Sequence, residues 1–310
     1  MNRRQFLCAA GAGAIHAGCG RQREKSPVAI LKAASYSAGL AGQLRRGAEL
    51  LNLEAKGKRV LLKPNLVEFD SSTAINTHVS LIAAAVELFR HLGAAQIRIG
   101  EGPGHRRDTL YLAEEAGYRK EVERFDSLFV DLNRDDVSAA GPFGDTAQIY
   151  LPHAALEADL VVSLAKMKTH HWACATLSMK NYFGLVPGAV YGWPKNHLHQ
   201  IGIDRSIAEL HRLFPRSLAI VDGVVGMEGN GPIQGTPKAA GVVVMGADLV
   251  AVDATCCRIM GIDPRHLGYL KLSAGRGNLD ADRIEQRGEP IGSVHTPFAL
   301  LDQFKDYRLT

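Results

Sequence analysis

No CxxC pair, no stripe of basic residues and no apolar run long enough for a membrane helix, about 20 residues, occurs in these 310 residues. Each absence removes a class of protein. Without paired cysteines there is no ligand set for a zinc ribbon or a ferredoxin-like centre, so an iron-sulfur cluster is not expected. Of the five cysteines, Cys8 and Cys19 lie near the amino terminus, which leaves Cys174, Cys256 and Cys257 in the body, too few for a disulfide scaffold. Cys256 and Cys257 fall in an apolar helical pattern and read as small buried residues. Lysine and arginine are dispersed without interleaved aromatics, so no nucleic-acid partner is expected.

What is present begins with MNRRQFLCAAGAGAIHAGCG. Arg3 and Arg4 precede a short run of Ala and Gly, the pattern of a twin-arginine signal peptide over residues 1–18. The twin-arginine translocase is then a partner during export, and the working protein is periplasmic or held at the membrane facing the periplasm. Cys19 follows Ala17 and Gly18 as in a lipobox, with His16 where an aliphatic residue is usual. Lipidation at Cys19 and ordinary cleavage both remain open. Residues 19–27 read as a charged tether and 28–310 as the body. Removing Arg3 and Arg4, with no acid in that stretch, lowers the formal charge from +4 to +2.

With 46% hydrophobic residues, the body can bury one large core or two smaller ones. Short β-branched runs near 28, 59, 97, 128, 158, 217 and 241 alternate with turns and helical patterns. This predicts an α/β fold with a mostly parallel sheet and flanking helices, either one body or two lobes meeting between about 135 and 155. Ile75, Val79, Ile82, Val86 and Phe89 share one face of a helix expected over 73–93. Further helices are expected over 203–214 and 249–260. Residues 171–202 follow neither period and are dense in Gly, Pro, Trp and His, as in an ordered loop over a site.

Polar residues cluster after the strand patterns, where ligands bind in open parallel sheets. Lys63 and Asn65 follow RVLL, Glu101 follows IRIG, Lys166, Lys168 and His170 follow LVVSLA, and Asp222 follows LAIV. These read as pieces of one site. Turn chemistry alone explains Lys63-Pro64-Asn65 equally well. His78 reads as a packed or surface histidine, and Asp248 as a helix cap. The densest stretch runs from Lys166 to Gly188, with His170, Thr176, Lys180 and Asn181. A lysine in a dry pocket can act as base or nucleophile, or its charge can simply hold an anion. In VDGVVGMEGNGP, Asp222 and Glu228 lie among Gly226, Gly229 and other glycines, which suits a backbone cradle for an anion or carboxylates that reach a metal.

KPNL at 63–66, TH at 77–78, KTH at 168–170, KNYFGLVPG at 180–188, VDGVVGMEGNGP at 221–232 and DLVAVDATCCRIMG at 248–261 together resemble the family catalogued as domain of unknown function 362. The resemblance spans roughly residues 28–275. A more distant likeness joins K-x-H and a following lysine to the lactate racemase family. There the histidine transfers a proton and the lysine tethers a nickel pincer nucleotide, roles that would fall on His170 and Lys180. Ser178-Met179 stands here where that family has paired glycines. His197 or His199 would offer a metal ligand.

Two functions follow. In the first, an enzyme uses Lys63, His78, His170 and Lys180 on a small anionic or carbonyl-bearing substrate. Lys168, Thr176, Asn181, Asn65, Gly226 and Gly229 would hold the ligand or a cofactor, and Asp222, Glu228 and His199 a divalent metal, or the carboxylates would orient lysines. In the second, the same cations serve an extracytoplasmic binding lipoprotein for an anionic ligand or metal-chelate.

Overall fold

A computed structural model describes residues 24–37, 39–104 and 107–309. The expected signal peptide, Cys19 and the first part of the tether lie outside the described residues. Among the described residues twelve strands are present: β1 (Ser26–Lys32), β2 (Arg59–Pro64), β3 (Gln96–Glu101), β4 (Phe129–Asp131), β5 (Val137–Ala140), β6 (Ile149–Pro152), β7 (Leu160–His170), β8 (Cys174–Thr176), β9 (Ser217–Glu228), β10 (Thr236–Lys238), β11 (Val242–Gly246) and β12 (Ile284–Gly288). All seven strand patterns read from the sequence are strands.

Ten of them form one sheet in the order β12-β1-β11-β9-β7-β2-β3-β4, with β10 on β9 and β8 on β7. The run β9-β7-β2-β3-β4 is parallel throughout. β11 runs antiparallel to both its neighbours. The 135–155 stretch forms a separate ribbon of β5 and β6, while the main sheet continues unbroken past it. β1 begins at Ser26, inside the expected tether, because Ser26 and Pro27 pair with Ile284 and Glu285 of β12.

Alternation along each strand sends successive side chains to opposite faces. Val28 and Ile30 of β1 join one core, with the helices Ile203–Leu213 and Leu249–Ile259. Ala29 and Leu31 join the other, with the helices Leu40–Leu50 and Val79–His91. The sheet is therefore the middle of three layers. The second of these helices starts later than its apolar period suggests. His78 caps it, its Nδ1 accepting from the Ser80 amide at 3.2 Å, and Ile75 is buried from an extended segment ahead of the cap. Asp248 caps the helix that follows it as expected, accepting from the amides of Val250 and Ala251. Cys256 and Cys257 are fully buried.

The 171–202 stretch is ordered by short elements: β8 turns back on β7, a 3-10 helix spans Lys180–Leu185, and single helical turns cover Gly188–Tyr191 and Asn196–Gln200. Among the described residues no helix is long and apolar enough to cross a membrane.

Candidate functional site

A cavity of about 540 Å³ opens at the carboxyl ends of β2, β3 and β7 and is walled on its outer side by the 171–202 stretch. Lys63, Asn65, Lys168, His170, Thr176, Lys180, Asn181 and His199 all line it, so eight of the residues singled out from the sequence converge. Glu101, also singled out, lines it as a ninth, and Lys195 lines it as well.

The lysines are not equivalent. Lys63 Nζ pairs with Glu101 Oε2 at 2.6 Å and also donates to the Pro64 carbonyl and to Asn181 Oδ1. Its pKa falls because burial outweighs the attraction of Glu101. Lys168 Nζ donates to the carbonyls of Ile75 and Pro232, and burial with the Lys180 charge beside it drives its pKa far down. Lys195 Nζ donates to the carbonyls of Gly102 and Phe183, with a pKa pushed down to about 7 by burial. Lys180 differs. Among the described residues no acceptor takes a hydrogen bond from its Nζ, which lies 4.2 Å from the centre of the Phe183 ring. Burial lowers its pKa to about 8.

His170 is held in one tautomer. Its Nδ1 accepts from the amides of Trp172 at 3.0 Å and Ala173 at 3.2 Å, so in the neutral ring Nε2 carries the proton. Burial, helped by the charges of Lys180 and His171, pushes its pKa far below the ordinary histidine value. A ring fixed this way is a hydrogen-bond donor at neutral pH. Of the proton transfer expected for His170, this geometry leaves donation from Nε2–H, since protonating Nδ1 would break two hydrogen bonds and place a cation among cations. Three polar atoms on the cavity wall are buried without a partner: Asn65 Oδ1, Thr176 Oγ1 and His199 Nδ1. Buried polar atoms are normally paired, and these three retain unused hydrogen-bonding capacity.

The match to the family described as Domain of unknown function (DUF362) covers residues 60–258, from β2 to the end of the helix Leu249–Ile259. The chain belongs to the DUF362 family. A thylakoid-associated protein of Synechocystis sp. is 30% identical to this DUF362 protein over 252 residues, 76% of this chain and 75% of that one. Among solved structures, the lactate racemase apoprotein from Thermoanaerobacterium thermosaccharolyticum superposes with a TM-score of 0.49 at 14% identity, covering 77% of this chain. The DUF362 chain spans 58% of that protein's length.

Six DUF362 residues expected in the site, His78, Lys166, Asp222, Gly226, Glu228 and Gly229, do not line the cavity. Asp222 and His78 belong to a second cluster on the other face of the sheet. There Lys166 Nζ donates to Asp222 Oδ2 at 2.7 Å, to the Tyr36 hydroxyl and to the Val225 carbonyl. Tyr36 in turn donates to Asp222 Oδ1, and the amide of His78 donates to Oδ2. The His78 ring stacks on Tyr36 with centroids 3.6 Å apart. Strand parity explains the split. Lys166 and Asp222 continue the series Leu160, Val162, Leu164 and Leu218, Ile220, which face the second core. An irregular register between Lys166 and Lys168 then re-aims β7 toward the cavity.

Glu228 is engaged by the Ala299 amide at 2.8 Å and by Lys238 at 3.3 Å. Asp222, Glu228 and His199 therefore do not converge, and among the described residues no group of three His, Cys, Asp or Glu side chains is arranged to hold a metal. Of the two roles expected for the carboxylates, orienting lysines is the one their contacts match. Gly226 and Gly229 serve the backbone: a Cβ at Gly226 would meet the Met167 carbonyl at 2.5 Å, and Gly229 has φ +79°. His197 and His199 sit on a helical turn rather than a strand. His197 stacks on Tyr191 while His199 faces the cavity.

Sequence reasoning missed Lys195, which sits in the left-handed region at φ +66°, and the part played by Asp253. This carboxylate is fully buried, with a pKa pushed up to about 7 by burial. It accepts from the Ser178 amide and hydroxyl and from the Met179 amide, fixing the two residues that precede Lys180. Lys180 and His199 each present a nitrogen without a protein hydrogen-bond partner among the described residues.

Proposed function

We propose that this protein is an enzyme that moves a proton at the carbon next to a carbonyl or carboxyl group of a small anionic substrate. The observation that carries the reading is the Lys180 amine, free of hydrogen-bond acceptors among the described residues and with a pKa near 8, beside a histidine locked as a donor. Four lysines and one carboxylate line the cavity, and bringing an anion in favours the protonated form of the lysines around it. The neutral Lys180 amine takes the proton from carbon. His170 Nε2–H donates to the oxygen on which negative charge develops, in a site shielded from bulk water. Thr176 Oγ1 and Asn65 Oδ1 hold the remaining polar groups of the substrate. A neutral histidine donor paired with a separate base is a known solution for enolisation chemistry.

A tethered nickel cofactor of the lactate racemase kind would attach at Lys180 with His199 as a ligand, and would supply an electrophilic metal centre. Intact mass with peptide mapping tests this directly: an adduct on Lys180 would move the base role off that lysine.

The test of the reaction is hydrogen exchange at carbon. A panel of 2-oxo and 2-hydroxy carboxylic acids is incubated with the full chain in D2O, and loss of the C–H signal is followed by proton NMR. Exchange with the parent but not with Lys180→Ala supports the enzyme. If every acid exchanges no faster with the parent than with Lys180→Ala, the enzyme reading is wrong. Acids that bind without exchanging would favour the extracytoplasmic binding protein.

The setting belongs to the same proposal. Export by the twin-arginine route and anchoring at Cys19 would put the cavity at a membrane surface facing the periplasm. The thylakoid association named for the Synechocystis relative supports a membrane-proximal setting. Mass spectrometry of the exported protein checks it: a mature chain starting at Cys19 with attached lipid is expected, and a chain retaining residues 1–18 would sink it.

A further inference from the structure

We infer that the cavity takes a monocarboxylate carried on a flat apolar body, an aryl-substituted acid rather than a three- or four-carbon one; this rests on the anionic-substrate reading above. Size is the first reason. A volume of about 540 Å³ equals that of about 18 liquid waters and lies within the range, about 300–1,000 Å³, that encloses drug-sized ligands. The cavity is also graded in polarity. At its inner end His170 and Thr176 are 5% and 4% exposed, and Thr176 Oγ1 and Asn65 Oδ1 lack partners. At its mouth Trp172 is 61% exposed, set edge-on to His171 at 4.7 Å and to His199 at 5.4 Å. Phe183 stands edge-on to His199 from the other side at 6.2 Å. Large aromatic side chains normally bury most of their surface, so an indole left bare at the mouth gains the most when a flat group covers it. A short acid would reach Lys180 and leave that end wet.

Charge selects the acid. Lys63 is paired with Glu101, and Lys168 and Lys195 are tied to backbone carbonyls. No paired ammoniums are left to balance a phosphate dianion, whereas His170 Nε2–H and the Thr176 hydroxyl give one donor to each oxygen of a single carboxylate and leave the Lys180 amine for the neighbouring carbon.

Isothermal titration of the full chain with phenylpyruvate, pyruvate and inorganic phosphate tests the inference. Phenylpyruvate is expected to bind at least tenfold more tightly than pyruvate, with phosphate weakest. Trp172→Ala should bring the ratio of the two acids near one while leaving pyruvate affinity unchanged, and Trp172→Phe should restore most of the preference. The inference is overturned if pyruvate or phosphate binds as tightly as phenylpyruvate, or if Trp172→Ala keeps the parent ratio. An aryl preference without any proton exchange would sink the catalytic reading and leave this one standing. If neither acid binds, both fall.

Discussion

Two lysine-bearing corners of the same sheet, reached from the same strand, have opposite fates. Around Lys166 every polar group is spoken for: its three ammonium protons have three acceptors, both Asp222 oxygens have donors, and the Tyr36 hydroxyl joins them. Around Lys180 an amine has no acceptor among the described residues, and three neighbouring polar atoms are buried unpaired. The residue types are nearly the same in both places. A closed network fixes structure, whereas an open one leaves hydrogen-bonding capacity for something that arrives. The presence of Lys, His and Asp is therefore a weaker sign of function than the count of partners they still lack.

Mutations in the two corners should separate cleanly. Lys180→Ala should lower the exchange rate by about 10²–10⁴-fold, the usual weight of a general base, with little change in melting temperature. Asp222→Ala should do the reverse. It strands the buried Lys166 charge and should destabilise the fold by about 3–5 kcal/mol, measured by urea unfolding, while the folded fraction keeps its exchange rate. Equal loss of exchange per folded molecule in both variants would break the comparison.

The pH profile sharpens it. With the Lys180 pKa at about 8, the neutral base grows roughly tenfold per pH unit up to that point, so exchange should rise toward pH 8 and level off. Stability follows a defined sign. The folded state releases this proton more readily than the unfolded chain, so the Lys180 contribution is least favourable below about pH 8 and improves between there and 10.5. Lys180→Met should flatten that window in pH-dependent melts. The smallest effect belongs to Lys238→Ala, which removes the partly exposed partner of Glu228. It should change stability by less than about 1 kcal/mol and leave exchange untouched.

Much of this was legible in the sequence. The β-branched runs marked the seven strands correctly, and the polar residues trailing them named most of the cavity, because chain direction in a parallel sheet delivers those positions to one edge. Grouping Asp222 and His78 with the rest was the chief error, and a signal against it existed. Lys166 and Asp222 lie an even number of residues from apolar partners of the second core, whereas Lys63 follows Leu61 of the first. Counting by twos parts Asp222 from Lys63, but it also misplaces Lys168 and His170, which reach the cavity only through the register break in β7. Lys195 had no such signal, since it stands in a stretch without period and is placed by a left-handed turn. Asp253 lies inside an apolar helix, and only the packing of that helix against Ser178 and Met179 reveals what it holds.

The register break in β7 has a consequence for inheritance. Inside it, Leu160–Lys166 is locked between β2 and β9 and cannot vary without disturbing the sheet. Outside it, Lys168–His170 pairs with the returning β8 and holds the 227–232 segment through Lys168 and Thr169. A heritable change before the break therefore falls on the sheet, whereas one after it falls on the cavity wall.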